Sequence, residues 1–187
     1  MNYRIDPQYL PNVFTSEECD RIVSLESLGE IDISESWTAT PKDVGAIPIR
    51  KSYNGWIKPD NNEWIYEKMT NVMTQFNDKC CKLDVRGWES FQYTVYKEVG
   101  DFYDWHVDHD TGQDMPPRKI SLSLQLTDPS EYEGSELQIH HTRFYDDFPK
   151  NKGDIIIFPS WCLHRVTPLV SGIRRSLVAW AMGPELK

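Results

Sequence analysis

The chain has 187 residues and 21.9 kDa, about the length of one domain. With 39% hydrophobic and 12% aromatic residues it can build a core, which excludes a disordered tail or low-complexity scaffold. Twenty basic against 29 acidic side chains leave a net charge of −9 and a pI near 5.0, a balance that weighs against nucleic acid as the main partner.

In chain order, Thr15 and Glu18 form a capping-box pattern, and Ile22, Val23, Leu25 and Leu28 then give a helical apolar face that Gly29 stops. Ile49–Asn54 is a candidate strand. A second helix is expected over Asn61–Lys79, with Trp64, Ile65, Met69, Val72, Met73 and Phe76 near helical spacing. After Ser90 the texture changes to short alternating runs broken by Gly, Pro and Asp. Phe91–Lys97, Tyr103–Asp108, Lys119–Thr127, Glu136–His140, Asp154–Phe158, Cys162–Thr167 and Arg174–Met182 are expected strands. The fold class is therefore α+β and β-rich: a sandwich, barrel or jelly roll with the helices covering one outer sheet face.

The longest apolar run, Ile155–Phe158, is far shorter than the ~20 residues of a membrane helix. Met1–Asp6 lacks the pattern of a secretion signal, so the expectation is a cytoplasmic protein with no membrane partner. Cys19, Cys80, Cys81 and Cys162 form no C-x-x-C pair and are expected as free thiols.

His106 and Asp108 fall at period two, on one face of a strand, with Trp105 and Val107 on the other. Alone the pair says little, since about one His-x-acid match is expected by chance in such a composition. His164 lies on a separate strand after a Pro-Ser turn. Together the three make two imidazoles and one carboxylate, a facial set with open positions that suits non-haem Fe(II) oxygen chemistry rather than structural zinc. Arg174 follows His164 by ten residues on a strand that puts Arg174, Ser176, Val178 and Trp180 on one face and Arg175, Leu177 and Ala179 on the other. One of the two adjacent arginines must then point inward, where a guanidinium calls for an anion, best a bidentate carboxylate.

This constellation resembles the Fe(II)/2-oxoglutarate dioxygenases and, within them, the prolyl 4-hydroxylase-like and PKHD-type hydroxylases of bacteria and phages. The resemblance is carried by Tyr96–Asp108, Ser123–Leu137, Gly153–Pro159, Leu163–Pro168 and Gly172–Arg174, and it runs from about Ser90 to Gly183. Gly134-Ser135 stands where the family usually has two glycines, and Arg174 where animal collagen prolyl hydroxylases carry lysine. The resemblance implies a double-stranded β-helix (jelly roll) with helices packed on its major sheet. It implies a single domain over 1–187, in which 1–89 supply helical support and early strands and 90–183 the core with the metal site.

The resemblance further implies that His106, Asp108 and His164 bind Fe(II) and that Arg174 pairs with the far carboxylate of 2-oxoglutarate. O2 is then consumed, and ascorbate is a candidate reductant. Tyr96 matches a tyrosine that hydrogen-bonds the cosubstrate, and it shares a polar strand face with Gln92 and Thr94. Gln125 shares a face with Ser121 and Ser123. If the opposite leucine face packs under the helices, Gln125 turns toward the cosubstrate; if the faces are reversed, it is solvated. Tyr103 is a candidate for lining the pocket or touching substrate, and Trp180 matches a tryptophan near the iron. Arg165 is a candidate contact to a substrate carbonyl, against a solvent-facing alternative. His109, His140 and His141 are expected at the surface. The turn-rich segments Thr111–Pro117, Asp128–Ser135 and Thr142–Lys152 are where covering loops would lie. The expected reaction is hydroxylation of peptidyl proline in a protein or peptide substrate, releasing succinate and CO2. The alternatives are a hydroxylase of a free amino acid or small molecule, and a cupin-like metal-binding module without catalysis.

Overall fold

A computed structural model describes residues 5–39, 46–109, 116–140 and 145–185. Strand β1 (Gln8–Leu10) leads into helix α1 (Ser16–Ser27), strands β2 (Ser34–Ala39) and β3 (Pro48–Ile57), and helix α2 (Glu63–Phe76). The strands β4 (Gly87–Trp88), β5 (Phe91–Tyr96), β6 (Phe102–His106), β7 (Arg118–Gln125), β8 (Tyr132–Gly134), β9 (Leu137–His140) and β10 (Tyr145–Asp147) follow. The chain closes with β11 (Ile155–Pro159), β12 (Leu163–Val166), β13 (Leu169–Gly172) and β14 (Arg174–Met182).

The Thr15 capping box forms as expected: the Thr15 hydroxyl accepts from the Glu18 amide at 3.2 Å, and the Thr15 amide donates to the Glu18 carboxylate at 2.8 Å. Cys19, Ile22 and Leu25 are buried, but Leu28 caps the helix rather than joining its apolar face and is 67% exposed. Helix α2 is shorter than the expected Asn61–Lys79. It widens into a π-helical turn over Asn77–Cys81, where the Asn77 side chain bonds both the amide and the carbonyl of Leu83 and Lys82 turns left-handed at φ 51°. All four cysteines are free, as expected; burial pushes the Cys19 and Cys81 thiols up to about 12 and Cys162 to about 11.

The main sheet is antiparallel and runs β1-β11-β7-β14-β5-β3-β6-β12-β9-β10, with β2 on β3 and β4 on β14; β8 and β13 pair separately. Strand β3 joins the two layers. Tyr53–Ile57 pair with β5, whereas Arg50 and Lys51 pair with β6. This curl gives the jelly roll. The seven strands expected after Ser90 are present with ends moved by one or two residues. Strands β1, β2, β4, β8, β10 and β13 were not expected, because only pairing defines them and they carry little apolar alternation.

Period two decides the rest. Ile120, Leu122 and Leu124 on β7, Leu177 and Ala179 on β14, and Phe91, Tyr93 and Val95 on β5 turn one face to Ile22, Leu25, Ile65 and Met69 of the helices. A smaller apolar cluster with Tyr96, Ile139, Phe158 and Val166 lies on the other side. Helix α1 is tied to the sheet at its end, where Glu26 accepts from the Tyr93 hydroxyl at 2.9 Å and pairs with Arg175. No described helix is long and apolar enough to cross a membrane.

Thr15→Ala is expected to lower unfolding stability by about 1 kcal/mol, the usual worth of a lost helix N-cap. Urea denaturation should show the midpoint falling with the slope unchanged.

Candidate active site

His106 ends β6 and His164 lies directly opposite it on β12, so the sheet register places the two imidazoles side by side, with ring centroids 4.1 Å apart. Asp108 lies beyond the end of β6, not within it as the expected Tyr103–Asp108 strand had it. Its amide donates to the Ser160 carbonyl at 2.9 Å, which draws the chain out of the ladder. The carboxylate still meets both rings: Oδ1 is 3.6 Å from His106 Nε2, and Oδ2 is 3.4 Å from His164 Nε2. Among the described residues these three form the group able to hold a metal ion, with ligand atoms within 4.8 Å of one another.

Each imidazole is fixed by the backbone two residues before it. His106 Nδ1 lies 2.7 Å from the Asp104 carbonyl, and His164 Nδ1 lies 2.9 Å from the Cys162 carbonyl. A carbonyl only accepts, so each Nδ1 carries the proton and each Nε2 keeps its lone pair for a metal. Ser121 donates to Asp108 Oδ2 at 2.9 Å and shares a second hydrogen bond with Ser160. Burial would raise the Asp108 carboxyl, but the charges of His164 and His106 hold it well below the ordinary carboxylate range. Burial pushes His164 down to about 4 against the opposing pull of Asp108. At neutral pH Asp108 is thus an anion beside a neutral His164.

These groups open into a cavity of about 460 Å³, its mouth included. Arg174, Ser176, Val178 and Trp180 from β14, and Gln92, Thr94 and Tyr96 from β5, line it as their alternation requires. Arg174 is the inward member of its pair and only 2% exposed; its Nη2 donates to Gln125 Oε1 at 3.0 Å, and its buried Nη1 has no hydrogen-bond partner among the described residues. The guanidinium lies over Tyr96, 5.4 Å from the ring centroid. Burial raises the Tyr96 phenol, against the pull of the Arg50 and Arg174 charges. Gln125 is buried on the inner face of β7 and orients Arg174, rather than lining the cavity itself. Tyr103 lines the cavity and stacks on His106 at 3.5 Å with a 10° interplanar angle.

Arg165 does not reach the cavity. It sits beside His164 on the opposite face of β12, donates to Gln138 Oε1 at 2.7 Å and covers the Trp105 ring. His140 is exposed against Trp105, and His109 is half-buried, with Nδ1 2.9 Å from the Arg118 carbonyl. His141 and residues 111–115 and 142–144 of the expected covering loops lie outside the described residues. Two groups of the site, one behind Asp108 and one lining the cavity, escaped the sequence reading. Ser121, placed on the right face, was not connected to Asp108. Arg50 was overlooked, although Arg50, Ser52 and Asn54 repeat polar residues at period two within the expected strand Ile49–Asn54. That alternation was the available signal.

Residues 91–182 match the family model of the 2OG-Fe(II) oxygenase superfamily. The chain belongs to that superfamily. A PKHD-type hydroxylase of Synechococcus sp. (strain CC9902) is 41% identical over 83 residues, 44% of this chain and 37% of the relative. Another from Idiomarina loihiensis is 28% identical over 147 residues, 74% of this chain and 67% of the relative. The first match thus spans well under half of that relative's length. Among solved structures, a Pseudomonas putida prolyl-4-hydroxylase aligns with a TM-score of 0.69 at 17% identity, over 97% of this chain and 94% of that one. A Trichoplax adhaerens prolyl hydroxylase, solved with a hypoxia inducible factor oxygen degradation domain peptide fragment, aligns at 0.71 and 15% identity, over 94% and 83%. At such identities these two likenesses show the jelly-roll fold.

The residues of this site fit what the superfamily's description names. Two freed Nε2 atoms and one ionised carboxylate are a donor set for Fe(II). The unpartnered Nη1 of Arg174 is a buried donor awaiting an acceptor, as a cosubstrate carboxylate would be.

Ser121→Ala removes the hydroxyl that steadies Asp108 and is expected to weaken divalent-metal binding about tenfold, the scale of a lost outer hydrogen bond. Anaerobic metal titration, alongside an unchanged circular dichroism spectrum, checks this.

Proposed function

We propose that this oxygenase hydroxylates an unactivated C–H bond of peptidyl proline, with Fe(II) held by His106, Asp108 and His164 and with 2-oxoglutarate as cosubstrate. The balance is one C–H bond, O2 and 2-oxoglutarate converted to C–OH, succinate and CO2. The observation that carries the reading is Arg174, a buried guanidinium with an unpartnered nitrogen in the same cavity as the two-histidine, one-carboxylate trio. A module that merely bound metal would have no use for a carboxylate clamp beside it. Support for a prolyl substrate comes from the PKHD-type relatives and the prolyl hydroxylase neighbours, one of them solved with a peptide.

When bound, the iron with its cosubstrate supplies the O2-dependent oxidation. The chain's own residues bind, orient and exclude water. Arg174, steadied by Gln125, takes the far carboxylate of the cosubstrate, with Tyr96 as a neighbouring phenol. Tyr103 and Phe158 pack against the imidazoles and fix their planes, Tyr103 on His106 and Phe158 edge-on to His164 at 4.8 Å. Trp180 closes the wall next to Trp56 and under the Arg118 guanidinium, which Glu89 holds with two hydrogen bonds of 2.7 and 2.9 Å.

Adding 2-oxoglutarate anaerobically to the Fe(II)-loaded protein is expected to produce a weak visible charge-transfer band. Iron-bound, folded protein without the band would favour the non-catalytic binding module. Arg174→Ala should raise the 2-oxoglutarate concentration for half-formation about thirtyfold or more, because it removes a desolvated charge pair, while metal affinity stays nearly unchanged. In a separate metal titration, Asp108→Ala should show no Fe(II) binding, since two imidazoles alone hold it poorly; retained affinity would refute the ligand assignment.

A further inference from the structure

Arg174 is not the only guanidinium in the cavity. Arg50 lies on β3 opposite Tyr103 of β6, and its guanidinium sits 4.5 Å above the Tyr103 ring centroid. Its Nε donates to Ser52 Oγ at 2.9 Å, and its Nη2 donates to Asn54 Oδ1 and Gln92 Oε1, both at 2.8 Å. The three acceptors are themselves buried. Arginine has five N–H donors; the two on Nη1 have no partner among the described residues.

All three partners are neutral. Elsewhere Arg118 meets Glu89, Arg175 meets Glu26 and Arg86 meets Asp84. Arg50 has no carboxylate partner among the described residues, and Asp108, the carboxylate lining the cavity, faces the two histidines instead. Arg50 is half-buried, and holding a guanidinium partly out of water among neutral groups carries a desolvation cost that an anion would offset. Under the reading above, the cosubstrate neutralises Arg174 and the metal, which leaves the Arg50 charge unanswered. The group is also held in place, with one flat face on Tyr103 and the Nε and both Nη2 donors tied, so the two N–H donors left on Nη1 are preorganised for an anionic oxygen. Tyr103 in turn stacks on His106, so an anion on that edge would stand one aromatic ring from a metal ligand.

We propose that Arg50 is a carboxylate receptor for the substrate: the hydroxylated residue carries its own carboxylate, as a free amino acid or as the C-terminal residue of a peptide. This rests on the cavity being the Fe(II)/2-oxoglutarate site, and it narrows the substrate to one whose acid group lies within a residue of the oxidised carbon.

The test is calorimetric binding to the anaerobic Fe(II)- and 2-oxoglutarate-loaded protein. The probes are matched pairs, N-acetyl amino acid against N-acetyl amino amide, built on proline, leucine and lysine, together with the three free amino acids. At least one acid is expected to bind about ten- to a hundredfold tighter than its amide, the worth of hydrogen bonds to a charged group. Arg50→Gln should bring that ratio to near one with amide binding retained, and Arg50→Lys, which keeps the charge but not the fork, should lie between. The free amino acids against their N-acetyl forms separate the two sources of the carboxylate. A preference seen on leucine or lysine but not proline would sustain the Arg50 assignment and end the prolyl reading. Equal or absent binding of both members of every pair, or an acid preference that survives Arg50→Gln, would overturn the assignment, whatever the charge-transfer band shows.

Discussion

Strands β5, β7 and β14 have to satisfy two environments that differ as much as oil and brine. One side must present a continuous apolar surface to the helices, and the other must hold charged groups around a metal. The two-residue repeat of an extended chain is what makes this possible. On β7 it separates Ile120, Leu122 and Leu124 from Ser121, Ser123 and Gln125; on β14 it separates Leu177 and Ala179 from Arg174, Ser176 and Trp180. A slip of one residue on β14 would drive Arg174 into the core and expose its apolar set to the metal site. Register is therefore the constraint on which both core and site depend.

The polar side is held by hydrogen bonds that each leave one functional atom free. Backbone carbonyls fix the Nδ1 protons and release the two Nε2 lone pairs. Ser121 holds one oxygen of Asp108 while the carboxylate faces both rings. Gln125 engages one nitrogen of Arg174 and leaves the other without a partner. Burial magnifies each of these arrangements, because charges and dipoles act more strongly where the side chains are withdrawn from bulk water.

The N-terminal half does more than support the core. Strand β3 pairs with β5 along one stretch and with β6 along another, so it belongs to both layers of the roll. That position carries Arg50 into the cavity that Arg174 also lines, over the same tyrosine that stacks on a metal-binding imidazole. Two guanidinium groups in one cavity, neither paired with a carboxylate among the described residues, give it a demand for anions.

Much of this was legible in the linear chain. The capping box, the strands after Ser90, the His-x-Asp pair with its distant histidine and the presence of one inward arginine in the Arg174-Arg175 pair are local or periodic features that spacing reports, whereas the choice of Arg174 rests on the family resemblance. Arg165 was ambiguous because its strand face could be read only once His164 was known to point inward, which sends its neighbour outward. Asp108 reached the site by a different route than expected, since its strand ends early and a hydrogen bond to Ser160 places it. Gln125 was correctly oriented, yet its role as support for Arg174 depends on a cross-strand contact. Arg50 was missed because its meaning lies in Tyr103, Gln92 and Asn54, which only the fold of β3 brings together. The sequence by itself determined which residue types exist on which strand face, because two-residue periodicity is a property of a single chain segment. Tertiary structure decided which faces meet, and so which charges are left without a partner, because pairing register and the curl of the sheet are properties of segments far apart in the chain.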